Sequence, residues 1–189
     1  MTRVTLTLLL VFACALPAFA QSTEVGAVLG GSRRSVSDAW DDGGGLKNED
    51  FSFSNSAFEL FYGVELEPGT YLKFKGGRIE GPVRVLTLDE DEARHGHDVE
   101  GQVQHLSAVI EYRFSEAFGS TALFGGVGAY RHSATGFDSD IDYGWQFGLN
   151  ADFPISRRYG VLLEATHHWT RGQFEPKYLT VGGGLRIKF

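Results

Sequence analysis

Tyr143-Gly144-Trp145-Gln146-Phe147-Gly148-Leu149-Asn150-Ala151-Asp152-Phe153 alternates without a break. Tyr143, Trp145, Phe147, Leu149, Ala151 and Phe153 fall on one face. Gly144, Gln146, Gly148, Asn150 and Asp152 fall on the other. A period of two is the signature of a strand with one apolar and one polar face. Eleven residues at ~3.3 Å, tilted by about 45°, rise roughly 25 Å, the height of the apolar band of a membrane β-barrel.

The pattern repeats on both sides of this stretch. Phe58, Leu60, Tyr62, Val64 and Leu66 alternate with Glu59, Phe61, Gly63 and Glu65; Leu106, Ala108, Ile110, Tyr112 and Phe114 with Ser107, Val109, Glu111 and Arg113. Val161 to Trp169 and Leu179 to Phe189 read the same way, with Glu164, Thr166, His168 and then Arg186, Lys188 on the polar side. Weaker strands are expected at 23–32, at 70–78, where Leu72 and Phe74 oppose Lys73 and Lys75, and at 120–131, whose facing Gly125, Gly126 and Gly128 blur. The sum is eight strands, an even number that suits antiparallel closure. Glu67-Pro68-Gly69, 115–119 and 154–158 are short connections. Residues 33–55, 79–101 and 132–142 are long and polar, and 171–177 form a shorter fourth loop. Tight turns at one rim and long loops at the other are the arrangement of an outer-membrane barrel. Within 79–88, Val83, Val85, Leu86 and Leu88 could extend the third strand past a Gly81-Pro82 bulge.

A soluble barrel alternates too, with its apolar face inward. Two features turn that face outward. Aromatics gather near strand ends, where amphipathic rings favour headgroups: Tyr71, Tyr112, Phe114, Phe153, Tyr159 and Phe189 are expected at one edge, Phe58, Tyr130, Tyr143, Trp145, Trp169 and Tyr178 at the other. The polar face is also rich in glycine, which suits the narrow lumen of eight strands. The final segment, Val181-Gly182-Gly183-Gly184-Leu185-Arg186-Ile187-Lys188-Phe189, resembles the closing strand of bacterial outer-membrane proteins. Residues 22–189 as a whole resemble the OmpA/OmpX-type eight-stranded outer-membrane β-barrel superfamily. The resemblance implies an all-β, transmembrane, up-and-down antiparallel barrel, and it implies that Phe189 serves as an assembly signal read by the barrel-assembly machinery.

The start of the chain carries an export pattern. Arg3 precedes the apolar run Val4 to Ala15, too short to span a bilayer as a helix. Ala18-Phe19-Ala20 then offers small residues for cleavage before Gln21. Residues 1–20 are expected to be a cleaved signal peptide and 21–189 the barrel domain. A retained anchor lacks a second apolar segment or a basic flank. A lipoprotein cut at Cys14 is disfavoured by bulky Phe12 and by the apolar residues beyond the cysteine. Removing the leader takes the one Cys, the one Met and Arg3, so the formal charge moves from −7 to −8. The remaining 169 residues hold no disulfide, thiol nucleophile or thiolate metal site, and their acidity argues against nucleic acid as a partner.

The polar face carries ten charges. Glu59, Glu65, Lys73, Lys75, Glu111, Arg113, Asp152, Glu164, Arg186 and Lys188 are expected in the lumen, five acids against five bases. Enclosed charges must pair or hold water. An ion-paired plug fills space and fixes register. The alternative is a narrow ion-conducting pore gated by re-pairing, and Glu111 with Arg186 or Lys73 is the pair of first interest.

The loops carry acidic clusters: Asp38, Asp41 and Asp42; Asp89 to Glu92 with His95, His97 and Asp98; and Asp138, Asp140 and Asp142. They could bind divalent cations, including those bridging lipopolysaccharide phosphates, or Zn²⁺ at His95 and His97. A solvated acidic face accounts for them as well, because the later ligands of a calcium loop are missing. His105-x-Ser107 and His168-x-Thr170 are poor matches to lipid A deacylases of the PagL type: the first lacks an orienting acid, and the second replaces the serine and is followed by Arg171. His167 and His168 are expected near the outer interface. The sequence therefore points to a monomeric, non-enzymatic outer-membrane barrel in contact with outer-membrane lipid and lipopolysaccharide. Its role is structural or one of surface interaction, with no cofactor implied; a pore and a lipid A hydrolase follow in that order.

Overall fold

The computed structural model describes residues 22–35, 55–88, 94–116, 118–134, 136, 139–171 and 177–189, with side chains left aside at 34–35, 82–88, 94–100, 115–116, 134 and 171. The expected signal peptide, the clusters Asp38–Asp42 and Asp89–Glu92, and Asp138 lie outside the described residues.

Eight strands follow one another: β1 Thr23–Ser35, β2 Asn55–Glu67, β3 Thr70–Leu88, β4 Arg94–Glu116, β5 Gly119–Ala134, β6 Asp140–Pro154, β7 Tyr159–Arg171 and β8 Lys177–Lys188. Each pairs antiparallel with its neighbours in sequence, and β1 pairs with β8 from Glu24↔Lys188 to Ser35↔Lys177, so the sheet closes on itself. Closure leaves no edge within the barrel wall. The tight connections are built locally. Between β2 and β3, Gly69 adopts φ +81°, which a Pro-Gly turn needs at its second central position. Between β6 and β7, the Ser156 hydroxyl accepts from the backbone N–H groups of Arg158 and Tyr159, and the amides of Ile155 and Ser156 donate to the Tyr159 carbonyl.

Alternation sorts the side chains. Trp145, Phe147, Leu149, Leu123, Val127, Ile110 and Leu185 are exposed on the outside, whereas Glu111, Lys73, Lys75, Asn150 and Gln146 are buried in the lumen. The uncertain facing of β5 resolves: Ala122, Phe124, Tyr130 and His132 point in, Leu123, Val127 and Arg131 out.

Four expectations are corrected. Residues 79–88 and 94–101 are strand rather than loop, and Val83, Val85, Leu86 and Leu88 do extend the third strand. β3 and β4 stay paired from Thr70↔Tyr112 to Leu88↔Arg94, since Val83, Val85, Val99 and Val103 favour extended backbone. The register runs unbroken through Gly81↔Gly101 and Pro82↔Glu100, so Gly81-Pro82 makes no bulge; the register shift found lies on β2 between Glu65 and Glu67. Tyr71, Tyr130 and Tyr178 do not join the aromatic edges. They are in phase with lumen residues and are 2%, 0% and 1% exposed. His168 is likewise buried inside, in phase with Glu164 and Thr166, while His167 faces outward and stacks on Phe147 at 5.1 Å.

Candidate functional site

The lumen concentrates the polar chemistry. Its ion pairs fall into two groups. The lower group lies toward the tight turns. Lys73 Nζ stands 2.9 Å from Glu24 Oε1 and 2.7 Å from Glu111 Oε2. Arg113 bridges the same two acids at 3.0 and 2.5 Å, and Arg186 Nε meets Asp152 Oδ2 at 2.8 Å. Asn150 donates to Glu111 at 2.7 Å. Three acids and three bases balance there, as enclosed charges require. At the rim below them Lys188 donates to the Tyr71 hydroxyl at 3.2 Å and lies 3.5 Å from Glu65, which also accepts from the Ser22 hydroxyl.

The upper group centres on Lys75, whose Nζ lies 2.8 Å from Glu59 Oε1 and 2.7 Å from Glu164 Oε1. Thr166 donates to Glu164 at 2.9 Å, and His105 Nε2 sits 3.5 Å from Glu59. Beside this group is a cavity of about 20 Å³ lined in part by Glu59, His105, Glu164, His168 and Thr180, room for about one water molecule.

An apolar layer parts the two groups. Along β1 it is Val28, above Glu24; along β2 it is Phe61, between Glu65 and Glu59; along β4 it is Val109, between Glu111 and His105. Val28, Phe61 and Leu162 pack together. Lys73 lies 4.6 Å from the Phe61 ring centre and Lys75 4.0 Å from that of Phe124, so each ammonium also meets an aromatic face. Glycines make room for the rings: Gly26 stands opposite Phe61 and Gly148 opposite Phe124, where a Cβ would run into the respective rings. A second apolar cluster, Ile79, Val103, Tyr130 and Tyr178, packs at the outer end of the lumen.

All ten charges read from the sequence point inward. The structure brings Glu111 to Lys73 and Arg113; Arg186 goes instead to Asp152. Sequence reasoning missed Glu24, fully buried and paired with both Lys73 and Arg113. It is a sixth acid beside the five expected, and its signal was its phase opposite Val25, Ala27 and Leu29. His105, Ser107, Gln146 and His168 are further lumen residues. Ser107 accepts from Gln146 at 2.5 Å and donates to the Lys75 carbonyl at 3.3 Å. Asp142 is buried 3.5 Å from His132 Nε2, and Asp140 accepts from the Ile141 amide at 2.8 Å. Among the described residues no three His, Asp or Glu side chains converge as a metal set.

The profile of the outer membrane protein beta-barrel domain family matches residues 6–189. The chain belongs to that family. Membership places this barrel in the bacterial outer membrane, its exposed apolar belt against lipid. The fold is shared with the N-terminal β-barrel domain of Pseudomonas aeruginosa OprF (13% identity, TM-score 0.56, covering 90% of this chain and 98% of that one). Neisserial surface protein A matches at 10% identity and TM-score 0.56, covering 89% and 96%. A major outer membrane protein of Thermus thermophilus matches at 11% and 0.50, covering 88% and 99%. No curated protein sequence matches the chain.

Proposed function

We infer that this family member is a non-conducting outer-membrane barrel with a structural and surface-interaction role, presenting its β3–β4 hairpin and acidic loops outside the cell. The observation that carries this is the overhang of that hairpin. β2 pairs with β3 only as far as Ala57↔Ile79, and β5 with β4 only as far as Gly101↔Ala134. Residues 82–88 and 94–100 then pair only with each other among the described residues. A two-stranded ribbon with open backbone edges is unstable in hydrocarbon, and open edges are surfaces on which a partner strand can add.

The layered lumen supports the non-conducting half of the reading. Among the described residues, the balanced charges of the lower group, the packing of Val28, Phe61 and Leu162 and a cavity of about one water support a closed lumen. The inward position of His105, Ser107, His168 and Thr170 argues against hydrolysis of lipid, which would lie on the other side of the wall. The closed sheet supports a monomer. Exposed Phe189, whose amide donates to the Thr23 carbonyl at 2.8 Å, fits recognition by the barrel-assembly machinery. Cleavage before Gln21 completes the proposal.

Two measurements test it. A single Thr87→Cys substitution should react with a membrane-impermeant maleimide on intact cells, and a planar bilayer holding the protein should stay silent. An unreactive thiol in the Thr87→Cys variant or steady single-channel steps would overturn it, the second in favour of the pore.

A further inference from the structure

On the outer wall, three neighbouring strands pass from apolar to polar at the same register. Going toward the long loops, the outward residues of β3 are Leu72, Phe74, Gly76 and then Arg78; those of β4 reach Leu106 and then Gln104; those of β5 reach Val127, Ala129 and then Arg131. Arg78 pairs with Gln104, and Gln104 with Arg131, as direct cross-strand partners. The three form one row at the upper border of the apolar belt, where a headgroup layer begins. All are exposed; the Arg78 side chain retains 54% of its surface. Two strand spacings put the arginines about 10 Å apart.

A groove of about 380 Å³ adjoins this row on β1–β3. Leu29, Ala57 and Phe58 supply its apolar lining; Ser56, Arg78 and Glu80 supply the polar end. Glu80 accepts from the Ser56 hydroxyl and pairs with Arg78 at 2.7 Å, while Arg131 donates to Ser139 at 3.2 Å. Exposed pairs of this kind hold weakly, so both guanidinium groups are free to turn to a stronger acceptor, and phosphate accepts the guanidinium fork in two parallel bonds.

We propose that this wall is a binding site for a bisphosphorylated glycolipid of the outer leaflet, lipid A. One acyl chain lies in the Leu29–Phe58 groove, and its two phosphates meet Arg78 and Arg131 across Gln104. The spacing selects a headgroup with two phosphates over a phospholipid with one. The site rests on the reading of this face as lipid-facing.

Native mass spectrometry of the full folded protein, released from detergent after incubation with defined lipids, tests the site. Bisphosphorylated lipid A should be retained as one molecule per barrel, monophosphoryl lipid A more weakly, and phosphatidylglycerol least. The double variant Arg78→Ala/Arg131→Ala should lower lipid A retention about tenfold or more. Arg157→Ala, in the exposed turn at the opposite rim, should change nothing, and all variants should keep the heat-modifiable gel shift of a closed barrel. Equal retention by the double variant, or phosphatidylglycerol bound as well as lipid A, overturns the site while leaving the barrel's orientation intact. If brominated acyl chains fail to quench Trp145 and Trp169, the lipid-facing reading itself falls and the site with it.

Discussion

Gly148 stands directly across from Phe124 on the adjoining strand, and a methyl group on Gly148 would lie 2.5 Å from the ring's Cζ and press on the Ala165 carbonyl oxygen. Neither the ring, held under Lys75, nor the backbone can yield freely. Gly148→Ala should therefore destabilise the barrel by roughly 1–3 kcal/mol, the usual cost of overpacking. Gly183 faces outward, and a Cβ there meets only ordinary contacts at 3.7 Å, so Gly183→Ala serves as the control. Urea midpoints in detergent micelles, read by gel migration, should separate the two; coincident midpoints would contradict the packing described.

The two lysines of β3 look alike in sequence but differ in what depends on them. Lys75 is the cation between Glu59 and Glu164, whereas the acids around Lys73 also have Arg113. Lys75→Met leaves two buried carboxylates facing each other, a change that costs about 3–5 kcal/mol. Lys73→Met should cost clearly less. Adding Glu59→Gln and Glu164→Gln to Lys75→Met should restore much of the loss, because a neutral, hydrogen-bonded interior tolerates the missing ammonium. The same urea series decides it: equal losses for the two lysines would show that the groups are not separate.

The apolar layer is what parts the two ion groups, so its removal should be felt as a leak. Phe61→Ala with Phe124→Ala deletes two buried rings, each truncation costing about 3–5 kcal/mol where the site cannot collapse. Where the double variant still folds, planar-bilayer recording should show small conductance steps absent from the parent. A silent double variant that retains the gel shift would assign the block to the paired charges or to the Tyr130–Tyr178 cluster instead.

Strand phase was legible wherever bulky and polar residues alternate, as from Tyr143 to Phe153. It faded where glycines remove the contrast. Gly26, Gly30 and Gly31 obscured β1 and with it Glu24; Gly125 to Gly128 did the same for β5. Tyr71, Tyr130 and Tyr178 show a different limit. A tyrosine near a strand end suits a headgroup layer or a lumen equally by chemistry, and only its phase with Lys73, His132 or Thr180 decides. The ribbon of 82–88 and 94–100 was half legible: Val83, Val85, Leu86 and Leu88 offered an extended third strand, but the matching extension of β4 comes from pairing between two segments, which neither segment reveals alone. Partners across the lumen, such as Lys75 and Glu164, 89 residues apart, depend on closure and shear, and a one-dimensional pattern carries neither.

Trp145 and Trp169 are cross-strand partners with ring centres 6.5 Å apart on the outer wall, and they are 51% and 45% exposed. Lys177 Nζ lies 4.9 Å from the Trp169 ring centre, as suits a ring at the boundary between hydrocarbon and headgroups. In vesicles, acyl chains brominated near the headgroup should quench both rings more than chains brominated near the bilayer centre. Trp145→Phe and Trp169→Phe should each remove part of the quenchable signal, and the double variant leaves Trp40 as the one remaining indole. Aqueous iodide should quench the pair weakly. A pair shielded from every brominated chain would mean that the bulky face turns inward, and the assignment of lumen and lipid sides would be reversed.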